Sequence, residues 1–163
     1  MSRQIPRKTH EVSAAIVAGL LLALAPTARG TTIGAALAAG NGAVARGAYL
    51  ANAADCAACH TDEKHHGRPY AGGRAIPTPF GTFYSPNITP DRKTGIGRWT
   101  DAQFLRALHD GVRPDGSNLY PAFPYTSFTR ITDADALAIK AYLFSLPAVR
   151  HENRPPALPF PHS

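Results

Sequence analysis

Methionine occurs once in the 163 residues, as Met1, and cysteine only twice, as Cys56 and Cys59. Two cysteines three residues apart exclude a multi-bridge disulfide framework. A single initial methionine leaves no thioether side chain inside the chain. Charged residues reach only 17%, below the usual quarter of a soluble domain. There is no Lys/Arg run and no basic stripe interleaved with aromatics, so the net charge of +6 describes a scattered basic surface, not a nucleic-acid partner. No internal repeat and no sustained helical period occur, and 14 Gly with 15 Pro rule out a long coiled coil or a regular helical array. The 44% apolar content still allows a packed globule, and the length fits one domain with a tail.

The first thirty residues have their own character. Arg3, Arg7 and Lys8 precede twelve apolar residues, Ala14 to Ala25, closed by Pro26. A basic start, a short apolar stretch and small residues after it describe a secretory signal. Twelve residues fall short of the roughly twenty that cross a bilayer. Residues 1–28 are therefore expected to direct export to the periplasm, with cleavage after Ala28 or Ala38; an uncleaved membrane anchor is the alternative. Residues 29–44 read as a linker. Within them Gly40-Asn-Gly-Ala-Val-Ala45 fits a dinucleotide fingerprint in spelling only, because no strand precedes it.

Beyond Gly40 the chain reads as short helices separated by long loops. Ala45 to Ala58 is Ala-rich and predicts a helix. Thr61 to Arg98 has almost no periodicity and many Gly and Pro. Thr100-Asp-Ala-Gln103 is a capping box that opens a helix stopped by Gly111. Thr132-Asp-Ala-Asp135 caps another, running to Leu146 before Pro147, with Leu137, Ala141 and Phe144 expected on its core face. The domain is placed at residues 45–148 and a proline-rich tail at 149–163. Three short helices around so much loop cannot easily make a core alone, and something should fill the middle.

Cys56-Ala-Ala-Cys59-His60 supplies the candidate. CxxCH is the attachment signature of c-type haem. Two thiols one helical turn apart can each add to a vinyl group of one porphyrin, forming two thioethers. His60 then lies under the ring, where its imidazole can bind iron as proximal ligand. A thioredoxin-like CxxC would need a βαβ context, and a zinc site would need a fourth, distant ligand. The export signal favours one covalent haem c.

Around this motif, GAYLANAADCAACHT, YAGGRAIPTPFGTFYSPNITPD, TGIGRWTDAQFLRALHDGV and LYPAFPYTSFTRITDADALAIKAYLFSLPAV resemble the cytochrome c family. Specifically, they resemble haem domains in cytochrome c subunits of bacterial membrane-associated dehydrogenases, of the alcohol, gluconate and molybdenum hydroxylase types. The resemblance implies an all-α, cytochrome c-like fold of three to four short helices, the first and last crossing near the haem. It implies single-electron transfer from a periplasmic or membrane-associated dehydrogenase toward quinone or a terminal oxidase. It assigns no acid or base catalysis to this chain. Two departures stand out. Relatives commonly carry two or three such domains, whereas one CxxCH occurs here. They also often carry a distal methionine in the segment matching Ala122 to Thr132, where this chain has Phe123, Arg130 and Ile131. Tyr120 and Tyr125 are the credible donors from Gly111 to Thr132. A monohaem protein with an open distal site, binding a small ligand or sensing redox state, is therefore the second reading.

Other residues carry weaker signals. His65 and His66 read as a solvated loop. His109 reads as a helix C-terminal residue, where a cationic imidazole is favourable. Trp99, Tyr84 and Tyr120 suit either a haem contact or an ordinary core. Arg74 suits a propionate, since guanidinium pairs well with carboxylate.

Overall fold

A computed structural model of the chain describes residues 29–119 and 122–159, with side chains from residue 40 onward. Among the described residues there are four α-helices: α1 (Arg29–Ala53), α2 (Cys56–His60), α3 (Asp101–Asp110) and α4 (Asp133–Ser145). Two short strands, β1 (Ala75–Thr78) and β2 (Gly81–Tyr84), pair antiparallel with Ala75 opposite Tyr84 and Thr78 opposite Gly81. The expected all-α class is thus corrected to a largely helical fold with one small hairpin. The hairpin escapes a reading by periodicity because its strands are four residues long and β1 carries Pro77, which has no N–H to donate and is tolerated in a sheet chiefly on an edge strand.

The core sits where α1 crosses α4. Small residues make that crossing close: Ala51 and Ala136 are fully buried, and a Cβ on Gly47 would collide with the Ala138 carbonyl oxygen and approach Tyr142 Cβ to 2.9 Å. Arg46 Nε meets Asp135 Oδ1 at 2.5 Å beside it. Ile139, Leu143, Phe104, Ile96 and Tyr70 complete the buried cluster.

Both cap motifs form. Thr100 Oγ1 accepts from Gln103 N at 3.2 Å, and Thr100 N donates to Gln103 Oε1 at 2.9 Å, so α3 opens on a reciprocal box. Gly111 ends it at φ 67°, a left-handed conformation that a Cβ disfavours. Thr132 Oγ1 caps α4 by accepting from Asp135 N at 3.2 Å. Lys140, almost buried, ties the two helices together through Trp99 O at 2.9 Å and Asp101 Oδ1 at 2.6 Å.

Three expectations change. Residues 29–44, read as a linker, are helical and continuous with α1. The helix expected over Ala45 to Ala58 is broken, because Asp55 turns left-handed at φ 54° and α2 begins on a new axis. The buried residues of α4 are Ala136, Ala138, Ile139, Lys140 and Leu143, while Leu137 and Ala141 are half-buried and Phe144 is 37% exposed. Apolar residues surround α4 on nearly every side, so its own period does not say which stripe faces inward. The export segment, Tyr120 and the last residues of the tail lie outside the described residues. Among the described residues no helix is long and apolar enough to cross a membrane.

Candidate functional site

The left-handed break at Asp55 starts the site. It lets α2 leave α1 and carry Cys56, Cys59 and His60 within five residues. Asp is one of the few side chains that tolerates this conformation. Both cysteines are free thiols, one helical turn apart and therefore on one face. Cys56 is half-buried and packs against the core cluster, while Cys59 is exposed. Burial pushes the Cys56 thiol up to about 11, helped by the neighbouring Asp55 and Cys59 charges, so at neutral pH it is a protonated thiol.

His60 faces a backbone acceptor. Its Nδ1 lies 2.8 Å from Pro86 O, which can only accept, so Nδ1 carries the proton and Nε2 keeps its lone pair. Burial lowers the basicity of the imidazole, which keeps it neutral, the form a metal ligand needs. The acceptor is held by two strips of backbone. Gly72 N donates to His60 O at 2.8 Å, Gly73 N to Ser85 O at 2.8 Å and Ile88 N to Tyr70 O at 2.9 Å. Gly72 is required here: its φ is 79°, and a Cβ would press on the backbone of Ser85, Pro86 and Asn87 at 2.5 to 2.7 Å. Neither Pro86 nor Gly72 carries a signal in the sequence. The first lies 26 residues from His60, beyond any local pattern.

The other sequence candidates are spread around this centre. His65 and His66 are exposed, and His65 Nδ1 sits 2.8 Å from Asp62 Oδ2. His109 lies in the last turn of α3, on the face opposite Phe104 and Ala107, with Nδ1 3.8 Å from Asp133 Oδ1. Its Nε2 is buried and has no partner among the described residues. Arg74 reaches the Ala58 carbonyl between the two cysteines, so its guanidinium stands beside the motif. Trp99 packs against the core, and Tyr84 lies under the Arg154 guanidinium at 4.0 Å. In the loop before α4, Phe123 stacks on Phe128 at 5.3 Å, and Ile131 packs against the core cluster. Tyr125 lies close over Gly111, where a Cβ would meet its ring at 2.6 Å.

The chemistry of this donor set is specific. Two reduced thiols on one face, followed at once by an imidazole with a fixed tautomer and a free Nε2, fit a porphyrin held by two thioethers with its iron on that nitrogen.

Comparison with known proteins agrees with that geometry. The profile of the family described as cytochrome c matches residues 44–147. One of the subunits of nicotinate dehydrogenase from Pseudomonas putida is 55% identical over 116 residues, covering 71% of this chain and 10% of that protein. The cytochrome c subunit of the quinone alcohol dehydrogenase of Gluconacetobacter polyoxogenes is 49% identical over 121 residues, or 74% of this chain and 25% of the subunit. The gluconate 2-dehydrogenase cytochrome c subunit of Pantoea cypripedii is 44% identical over 138 residues, 82% of this chain and 31% of that subunit. The chain therefore spans between a tenth and a third of the length of these curated relatives. A profile match that runs from the second half of α1 through α4 and includes the thiol pair and the fixed histidine makes this chain a member of the cytochrome c family.

Proposed function

We propose that this chain is a c-type cytochrome passing single electrons from a partner dehydrogenase toward quinone or a terminal oxidase. Family membership implies covalent haem c; in this reading there is one, bonded to Cys56 and Cys59 with His60 as proximal iron ligand. The observation that carries it is the CxxCH run on α2 with His60 Nδ1 anchored on Pro86 O at 2.8 Å. When bound, the haem supplies a one-electron iron couple, and the protein sets its potential through ligand, burial and hydrogen bonds. The chain's own residues attach it, aim the imidazole and, through Tyr70, Phe104, Ile139 and Leu143, provide an apolar wall that excludes water. No side chain is assigned acid or base chemistry. The partner follows from the relatives' own names, which are dehydrogenase subunits. Export to the periplasm, free or held at the membrane, follows from residues 1–28.

The test uses the haem-loaded protein with a dehydrogenase from the same organism, of the alcohol, gluconate or nicotinate type that its relatives' names carry. Adding that enzyme's substrate is expected to reduce the haem bands within seconds. Full reduction by dithionite with none by the enzyme would overturn the electron-carrier reading.

One observation favours the second reading, an open distal site. Beyond Met1 the sequence offers no thioether; His65, His66 and His151 are exposed, and His109, whose Nε2 is buried without a partner among the described residues, lies on the face of α3 opposite Phe104 and Ala107. His/Met ligation raises the potential of a cytochrome, so its absence should give a lower one. The reduced protein is expected to bind CO readily and to show high-spin iron, and Ile131→Met is expected to move it toward low-spin. A wholly low-spin spectrum that survives Tyr120→Phe and Tyr125→Phe but is lost in His109→Ala or His65→Ala would sink the open site and leave a bis-histidine carrier.

A further inference from the structure

One peptide group in the site is bonded at both ends. It joins Pro86 to Asn87: its carbonyl oxygen accepts from His60 Nδ1 at 2.8 Å, and its N–H donates to Asn153 Oδ1 at 2.7 Å. Asn153 lies in the extended tail, past residue 147 where the family profile ends. The tail is strapped down hard at this point. Asn153 Nδ2 donates to Thr94 O at 2.9 Å, so both faces of its amide are committed and the oxygen must face Asn87. His151 N donates to Thr94 Oγ1 at 3.1 Å. The Asn87 side chain, 2% exposed, donates to Val149 O at 2.7 Å and to Thr94 Oγ1 at 3.0 Å, and accepts from Thr89 N at 2.9 Å. Every polar atom of Asn87's side chain is thereby satisfied, which makes a buried polar network rigid and not merely tolerable.

We propose that Asn153 is a positioning residue for the proximal ligand, acting on His60 through the Pro86–Asn87 peptide. The proposal rests on His60 binding the iron. Hydrogen bonds in a chain polarise one another. An acceptor on the peptide N–H draws charge onto the Pro86 oxygen, which then pulls harder on the His60 Nδ1 proton. A histidine whose far nitrogen is so held is a more basic ligand through Nε2. A more basic ligand favours the oxidised iron and lowers the potential. The tail beyond the family domain would in this way tune the carrier without touching its cofactor.

The haem-loaded wild type, Asn153→Ala and Arg150→Ala distinguish tuning from support. In Asn153→Ala the His60 Nδ1 proton is expected to exchange with solvent about tenfold faster by proton NMR, the scale of one lost hydrogen bond, and the midpoint potential to rise. Arg150 is exposed in the same tail; it pairs with Glu152 at 3.4 Å and faces the Asp91 charge, but it has no hydrogen bond to Asn153 or to the Pro86–Asn87 peptide among the described residues, so its removal should move neither. A fall in melting temperature with ring-proton exchange and potential unchanged would overturn the proposal. Should Asn153→Ala yield too little protein, Asn153→Asp keeps an acceptor for the Asn87 N–H, and its ring proton should exchange no faster than in wild type; faster exchange would count against the mechanism. A wild type without bound haem would instead overturn the reading of His60, and its absorption spectrum reports that separately.

Discussion

Replacing both Cys56 and Cys59 with serine is expected to leave the chain largely unfolded at 25 °C, with weak helical circular dichroism and no cooperative melt. The reason lies in what the polypeptide buries by itself. Among the described residues ten apolar ones make the buried core, and five of them are alanines: Ala51, Ala71, Ala107, Ala136 and Ala138. Five larger side chains, Tyr70, Ile96, Phe104, Ile139 and Leu143, cannot offset the entropy of ordering a domain this rich in loop. Much of the remaining order runs through backbone strips that converge on His60 and Pro86, such as Gly72 N to His60 O, and these lose their purpose without a ligand bound there. Anything that binds the native state alone stabilises it, and a covalently tethered group does so at very high local concentration. Circular dichroism on the double variant checks this. Native-like cooperative melting without haem would contradict it.

The second large effect is expected at the α1–α4 crossing. Gly47→Val should cost of order 4 kcal/mol and prevent accumulation of folded, haem-loaded protein, since overpacking against backbone has no side chain to give way. The obstacle is the Ala138 carbonyl with Tyr142 Cβ behind it, so the helices would have to separate along their whole contact. Gly42 is the control in the same helix. Nothing lies within 4 Å of a Cβ there, and Gly42→Ala should stabilise by about 0.5–1 kcal/mol through helix propensity alone. The yield of folded, haem-loaded protein for each variant, with a thermal melt wherever it accumulates, measures both. Equal effects would mean that the crossing is not as close as it stands.

Legibility in the sequence divides along a physical line. Features written within a few residues are readable: the capping box from Thr100 to Gln103, the stop at Gly111, the Thr132 cap and the CxxCH spacing. These depend on local hydrogen bonds and on the pitch of one helical turn. Features that depend on what lies across the fold are not. Pro86 reads as an ordinary loop proline until the chain brings its carbonyl to His60. Asn87 and Asn153 are unremarkable polar residues 66 positions apart until they close one hydrogen bond. The inward stripe of α4 differs from the expected one because Leu137, Ala141 and Phe144 are as apolar as Ala136, Ile139 and Leu143, and only the partner helix decides between them. The hairpin is hidden because four residues hold too short an alternation to show. The break at Asp55 is masked by the alanines around it, although Asp tolerates the left-handed turn, because nothing local says that the chain turns there.

The central claim is that one haem is bonded to this chain through Cys56 and Cys59 and that the protein is exported. The intact mass of the denatured protein, recovered from the periplasmic fraction of cells competent in haem attachment, tests both at once. The account predicts a chain beginning near Arg29, or about ten residues later, carrying the mass of one haem that survives denaturation. A chain of unmodified mass from such cells would contradict it.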